Sequence, residues 1–216
     1  MDVSITLAHE QVSLMPERAV YWPREHTLFV ADVHFGKAAA FRAWSVPVPE
    51  GGLADDLARL SHCIGRVKAK RIVFLGDVLH ARQGRVQTAL TQVREWRALH
   101  ACQQFHMVRG NHDLQAGDPP QDWGMSCADD GEVLGPFVLC HVPCESRAGY
   151  VLAGHVHPAV ALRGKGGLFA RLPCFVAGPQ RMILPAFGHF TGMSQVPRAA
   201  GERIFCVADD EVIAVR

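Results

Sequence analysis

The chain has 216 residues, is 49% hydrophobic and 20% charged, and carries a net charge of +1. That length suits one domain with a substantial core, and the near-neutral balance makes no electrostatic case for or against a nucleic-acid partner, so any basic groove has to be local. No apolar run reaches the ~18–20 residues needed to span a bilayer, and the opening MDVSITLAHEQ lacks the basic and apolar regions of a signal peptide.

In chain order, VSITL (3–7), VSLM (12–15) and AVYW (19–22) read as short strands with polar breaks. TLFVA (27–31) is the first central strand, followed by a loop through SVPVPEGG (45–52). Leu53, Leu57, Leu60 and Ile64 then recur on one helical face. RIVFL (71–75) is the next strand, Val86, Leu90, Val93 and Trp96 mark a second helix, and FHMV (105–108) is a third strand. The alternation predicts a parallel sheet with crossover helices. Residues 115–136, rich in Pro, Gly and Asp, read as a long surface loop. Beyond it the pattern changes: FVLC, YVLA, LFARL (168–172), CFVA, RIFCV and VIAV are short strands with no helical pattern between them. This predicts a second sheet packed on the first. No linker divides residues 1–216, so one domain is expected. The seven cysteines are odd in number and form no CxxC pair. They read as reduced core residues of a cytoplasmic protein, and the isolated Cys140-x3-Cys144 spacing is a weak zinc signal.

Five apolar runs end on groups that bind metals or protons: Asp32 and His34, Asp77 and His80, Asn111 with His112 and Asp113, His141, and His155 with His157. Ligands of α/β sheets bind beyond the carboxyl ends of the strands. Converging there, Asp32, His34, Asp77, Asn111, His141, His155 and His157 offer only oxygen and imidazole donors, which suit manganese, iron or zinc. Asp77 has two carboxylate oxygens and can bridge two ions. Two ions about 3.5–4 Å apart bind phosphoryl oxygens, acidify water and stabilise transition-state charge in phosphate ester hydrolysis. His112 is placed as the catalytic proton-transfer group, with Asp113 expected to orient it through its other ring nitrogen. Lys37 and Arg109, beside the clusters, are candidate phosphate contacts. His80 is either a further substrate contact or a support behind the ligands, and His189 either a loop residue or part of the groove.

These blocks, DVH (32–34), GDVLH (76–80), GNHD (110–113), His141 and GHVH (154–157), resemble those of the calcineurin-like metallophosphoesterases. The resemblance implies an α/β/β/α sandwich of two mixed sheets flanked by helices. It implies one metal on Asp32, His34, Asp77 and His157, and a second on Asp77, Asn111, His141 and His155. VADVHFGK, LAGHVHPAV and LPAFGHFTG (184–192) are similar to the bacterial DNA-ligase-associated (PdeM-type) members. That likeness implies a phosphodiesterase or nuclease in DNA repair, with DNA as substrate and ligase or helicase partners, and manganese is the metal expected from the donors. Two blocks depart from the family pattern: His80 and Ala81 stand where many relatives carry Asp and Arg, and His141 has no adjoining glycine. The alternatives are a phosphomonoesterase, a nucleotide phosphodiesterase on a small substrate, or a scaffold without catalysis. A scaffold tends to lose a ligand or the catalytic histidine, and this chain keeps all of them.

Overall fold

The computed structural model describes residues 1–49, 51–163, 169–197 and 199–215. Glu50 of the SVPVPEGG loop and Leu168 of the LFARL run lie outside the described residues. The first sheet holds β1 (Val3–Leu7), β2 (Glu10–Met15), β3 (Ala19–Trp22), β4 (Thr27–Val30), β5 (Arg71–Leu75), β6 (Gln104–Val108) and β7 (Met125–Ala128), in that spatial order. β1 to β4 form an antiparallel meander, and β4 to β7 run parallel. The carboxyl ends of β4, β5 and β6 therefore open on one edge.

The parallel connections are helical. α1 (Lys37–Ala43) and α2 (Gly52–Val67) join β4 to β5, and α3 (Gln87–Leu99) joins β5 to β6. The face anticipated for α2 is the one that packs: Leu57, Leu60 and Ile64 are buried and Leu53 partly so. In α3, Val93 and Trp96 are buried, whereas Val86 precedes the helix and is exposed. α1 was not evident in the sequence. Its Ala-rich seven residues bury only Ala40, so no apolar period marks it.

The second sheet holds β8 (Glu132–Leu134), β9 (Phe137–Leu139), β10 (Tyr150–Ala153), β11 (Pro158–Arg163), β12 (Phe169–Ala177), β13 (Arg181–Ile183), β14 (Ser194–Gln195), β15 (Arg203–Ala208) and β16 (Glu211–Val215). β10 lies between β9 and β13 and is parallel to both. The stretch 115–136 is more than a surface loop, because it contains β7 and β8 at the sheet edges. Their three or four mixed residues, none of them fully buried, carry too little periodicity to be seen in sequence.

The period-2 geometry of the central strands sorts the core. Phe29, Ala31, Val73, Leu75 and Val108 face the second sheet, meeting Phe137, Leu139, Leu152, Phe175 and Leu184. The alternate residues Leu28, Val30, Ile72, Phe74, Phe105 and Met107 face the helices with Leu60, Ile64, Val93 and Trp96. Both faces are apolar because both are covered. Trp22 anchors the sandwich, edge-on to Phe137 with ring centres 5.0 Å apart, and its Nε1–H donates to Glu10 at 2.8 Å. The two mixed sheets, packed face to face with the helices on the first, form the α/β fold expected of the chain. All α-helices among the described residues fall before residue 117. No helix among the described residues is long and apolar enough to cross a membrane.

Candidate metal centre

The polar groups that end the strands meet at one edge. Backbone pairing continues past β4 and β5: Asp32 N–H donates to Gly76 O at 3.3 Å, His34 N–H to Asp77 O at 2.9 Å and Phe35 N–H to Val78 O at 2.7 Å. The two loops thus stay zipped together. Asp32, His34, Asp77, His155 and His157 all have φ between 49° and 67°. The left-handed region is uncommon for residues with a Cβ, and such strain persists where the surroundings enforce it. Nothing in the residue types alone announced it.

Glycines serve the same edge in two ways. Gly76, at φ 79°, makes a turn that also brings it against the His141 ring, which a Cβ would overlap. Gly110 has φ −92°, and its role is close approach to Asp77, whose carboxylate a Cβ would overlap.

Three groups of donors result: His34, His80 and His112 form one, and the expected ligands form the other two. Asp32, His34 and His157 offer atoms within 4.8 Å of one another, and Asp77, His141 and His155 do the same. Asp77 faces both groups. Its Oδ1 lies 3.4 Å from His141 Nε2 and accepts the His112 N–H at 2.9 Å, while its Oδ2 lies 3.8 Å from His34 Nε2. Asp32 Oδ2 accepts the His155 N–H at 2.9 Å, leaving Oδ1 buried without a hydrogen bond, and His34 Nε2 is buried without one too.

These donors fit metal ions, on evidence of their own. Two unpartnered buried polar atoms at one point are costly unless a ligand completes them. His141 makes the case again. Its Nδ1–H donates to Leu75 O at 3.1 Å, which turns Nε2 into the site. Around that atom stand Asn111 Oδ1 at 2.9 Å, His155 Nδ1 at 3.0 Å and Asp77 Oδ1 at 3.4 Å, a donor set that a divalent cation can share. Burial lowers the pKa of His34, keeping it neutral and able to coordinate, and burial raises the Asp77 carboxyl, partly opposed by His141.

His112 stands beside both ligand groups. Its Nδ1–H donates to the backbone carbonyl of His80 at 2.7 Å, and its Nε2 points into the site 4.0 Å from Asp77 Oδ2. The His80 ring stacks on it, with centres 4.6 Å apart and planes at 22°.

Three expectations need correction. Asp113 does not orient His112. It is fully buried, accepting N–H bonds from Gly110 at 3.0 Å, Leu79 at 2.7 Å and Val78 at 3.2 Å. Neighbours in a helix point about 100° apart, so adjacency in sequence separated the two side chains. Burial pushes the Asp113 carboxyl up to about 6, opposed by those N–H groups. Asp113→Ala should strand three buried donors and cost about 3 kcal/mol or more in urea denaturation. A loss below about 1 kcal/mol would refute its role as the tie between the second and third ligand loops.

Arg109 is not free for phosphate. Asp118 grips it with two oxygens at 2.7 and 2.8 Å, and Asp129 takes NH1 at 3.0 Å. His80 is not a substrate contact either. It is 7% exposed, lies behind His112 with its Nδ1 3.3 Å from His34 Nδ1, and is lowered to about 4 by burial, with Lys37 and His112 adding to the shift. Lys37 does border the site. It lies, with His34, Arg42 and Phe190, in a groove of about 380 Å³, and the charges of Asp77 and Asp32 act on it. Cys140 and Cys144 come together, sulfur to sulfur 3.2 Å, but belong to none of the donor groups.

Comparison with known proteins agrees with this geometry. The calcineurin-like phosphoesterase family pattern matches residues 26–141. The crystal structure of the Pseudomonas putida nuclease MPE superposes with a TM-score of 0.87, at 37% identity, covering 100% of both chains. Yfce, a phosphoesterase from E. coli, gives a TM-score of 0.43 at 14% identity over 87% of this chain and 96% of that one, too distant to support argument. No curated protein matches the chain. With more than half of its length matched by the family pattern and its donor loops at the sheet edge, the chain belongs to the calcineurin-like phosphoesterases.

Proposed function

We propose that the protein hydrolyses phosphodiesters, as a nuclease, with two divalent ions held side by side. The observation that carries this reading is the placement of Asp77, one oxygen towards the His141 group and the other towards the His34 group. Asp32, His34 and His157 would hold one ion, and Asn111, His141 and His155 the other, with Asp77 shared. Bound there, the ions would supply charge to the phosphoryl oxygens and a water acidic enough to attack near neutral pH. Manganese is the proposed metal, since the donors are oxygen and imidazole without thiolate.

The remaining work falls to the chain. His112, its Nδ1–H fixed by the His80 carbonyl, presents Nε2 to the leaving oxygen and passes it a proton. Lys37 and Arg42 supply positive charge along the groove, and Phe190, 37% exposed, offers an apolar surface to a nucleoside. The nuclease name of the 37% identical Pseudomonas protein favours a nucleic-acid diester over a small ester. A role in DNA repair, with ligase or helicase partners, extends the proposal on the sequence resemblance alone, and a cytoplasmic setting extends it on the reading of the cysteines as reduced.

The test is a pair of rates. Protein stripped of metal and reloaded with manganese is given a nitrophenyl phosphodiester and the matching monoester. Faster diester turnover, abolished by chelator, is expected. Preference for the monoester would make the protein a phosphatase, and no turnover with metal confirmed bound would make it a scaffold.

A further inference from the structure

We propose that Arg18 and His189 form a second phosphate subsite beside the metal centre, for the phosphate that adjoins the scissile one in a polynucleotide. The inference rests on the phosphodiester reading above and extends it to the substrate's length.

The subsite is built by the segment after β13. Leu184 N–H donates to Ala153 O at 2.8 Å, Phe187 N–H to Ala31 O at 2.8 Å and Gly188 N–H to Asp32 O at 3.1 Å. The segment therefore runs along the loops that carry the donors. His157 Nδ1–H returns the contact, donating to Gly192 O at 3.2 Å. A Cβ on Gly188 would stand 2.7 Å from Val33 O, so the approach needs glycine.

His189, next in sequence, is held from below. Asp56, buried on α2, accepts its N–H at 3.2 Å and its Nδ1–H at 2.7 Å. The carboxylate fixes the tautomer, leaving Nε2 as the outward atom of a side chain 46% exposed.

Arg18 supplies a full charge. It sits in the turn between β2 and β3, half-buried, and its side chain makes one long hydrogen bond, from NH1 to Ala186 O at 3.5 Å. No carboxylate lies within 4.0 Å of it among the described residues. The nearby acid is already used: Asp56 accepts from Arg59 at 2.9 Å as well as from His189. Arg59 in turn stacks on Phe187 at 4.1 Å and donates to the Phe187 carbonyl. One carboxylate thus faces two guanidiniums and an imidazole. Burial, with the charge of Arg59 adding to it, lowers the pKa of Arg18, and the charge of Asp56 opposes the shift.

Arg18, His189, Thr191 and His157 line one cavity of about 70 Å³. An anion there touches a guanidinium and an imidazole and lies directly beside a metal-donor histidine. Guanidinium and imidazole donors suit phosphate oxygens, and contacts to phosphates away from the reacting bond set register along a strand.

Calorimetric titration of the manganese-loaded protein tests this. The ligands are a thymidine dinucleotide with a phosphorothioate linkage, which slows hydrolysis, and the same dinucleotide carrying an added 5′- or 3′-phosphate. In the wild type, one of the two added phosphates should tighten binding about tenfold or more. Arg18→Ala and His189→Gln should each remove most of that advantage, read as the ratio of dissociation constants within each variant. An added phosphate that gives no advantage at either end, or an advantage that survives in both variants, would overturn the subsite while leaving the phosphodiester reading intact. Failure of all three ligands to bind would overturn that reading and the subsite with it.

Discussion

Asp77→Asn should leave the fold intact and abolish the paired metal site. The substitution keeps the side chain's shape and an oxygen to accept the His112 N–H, now at 2.9 Å from Asp77 Oδ1. It removes the charge and the second oxygen acceptor, which faces His34 Nε2 from 3.8 Å. In the metal-free protein the change costs little. Asp77 is 2% exposed, burial already disfavours its ionised form, and an uncharged amide avoids that penalty. With metal the balance reverses. A wild-type chain that binds an ion at a hundred times its Kd gains about 2.7 kcal/mol per site. The variant should lose most of this for at least one site, with elemental analysis falling from two ions per chain to one or none. Turnover should drop by about 10³-fold or more, since loss of groups merely supporting a ligand already costs 10- to 100-fold. Two ions retained at wild-type affinity would show that Asp77 does not bridge.

The sequence carried much of this edge because coordination demands particular residue types at strand ends. Asp32, His34, Asp77, Asn111, His141, His155 and His157 could be picked out before any fold was known, and the structure brings them to one edge of the sheets. The central strands were legible for a related reason. β4 and β5 are covered on both faces and, with β6 interrupted only by His106, read as apolar runs between helical periods. What escaped was whatever depends on direction rather than composition. Asp113 follows His112 in the chain yet points into the protein, to three backbone N–H groups. Arg109 adjoins the Gly110–Asn111 turn yet is consumed by Asp118 and Asp129, acids 9 and 20 residues away in a stretch that looked like loop. His80 was ambiguous because its value lies partly in a backbone carbonyl, which every residue has. The role of Asp56 beneath His189 joins positions 133 residues apart, and no local pattern encodes such a pair.

His112→Ala should separate chemistry from metal binding. No atom of the His112 side chain belongs to the Asp32 or the Asp77 donor group, so both groups keep their members in the variant. Metal content and metal-induced stabilisation should stay at wild-type values. Turnover of an alkyl or nucleoside diester should fall by about 10²- to 10⁴-fold, the range of a positioned acid or base. The leaving group decides between two ways for His112 to act. If Nε2 protonates the departing oxygen, a nitrophenolate, which leaves without a proton, should suffer far less than an alkoxide. If Nε2 instead holds a phosphoryl oxygen, both substrates should suffer alike. The first outcome is expected from the geometry: Nδ1–H is tied to an uncharged carbonyl rather than a carboxylate, and the ring stacks on a histidine held neutral. Nε2, 4.0 Å from Asp77 Oδ2, is the ring atom left to reach a departing oxygen. Equal loss on both leaving groups would reassign His112 to phosphate binding, and an unchanged rate on both in the fully loaded variant would remove it from the reaction.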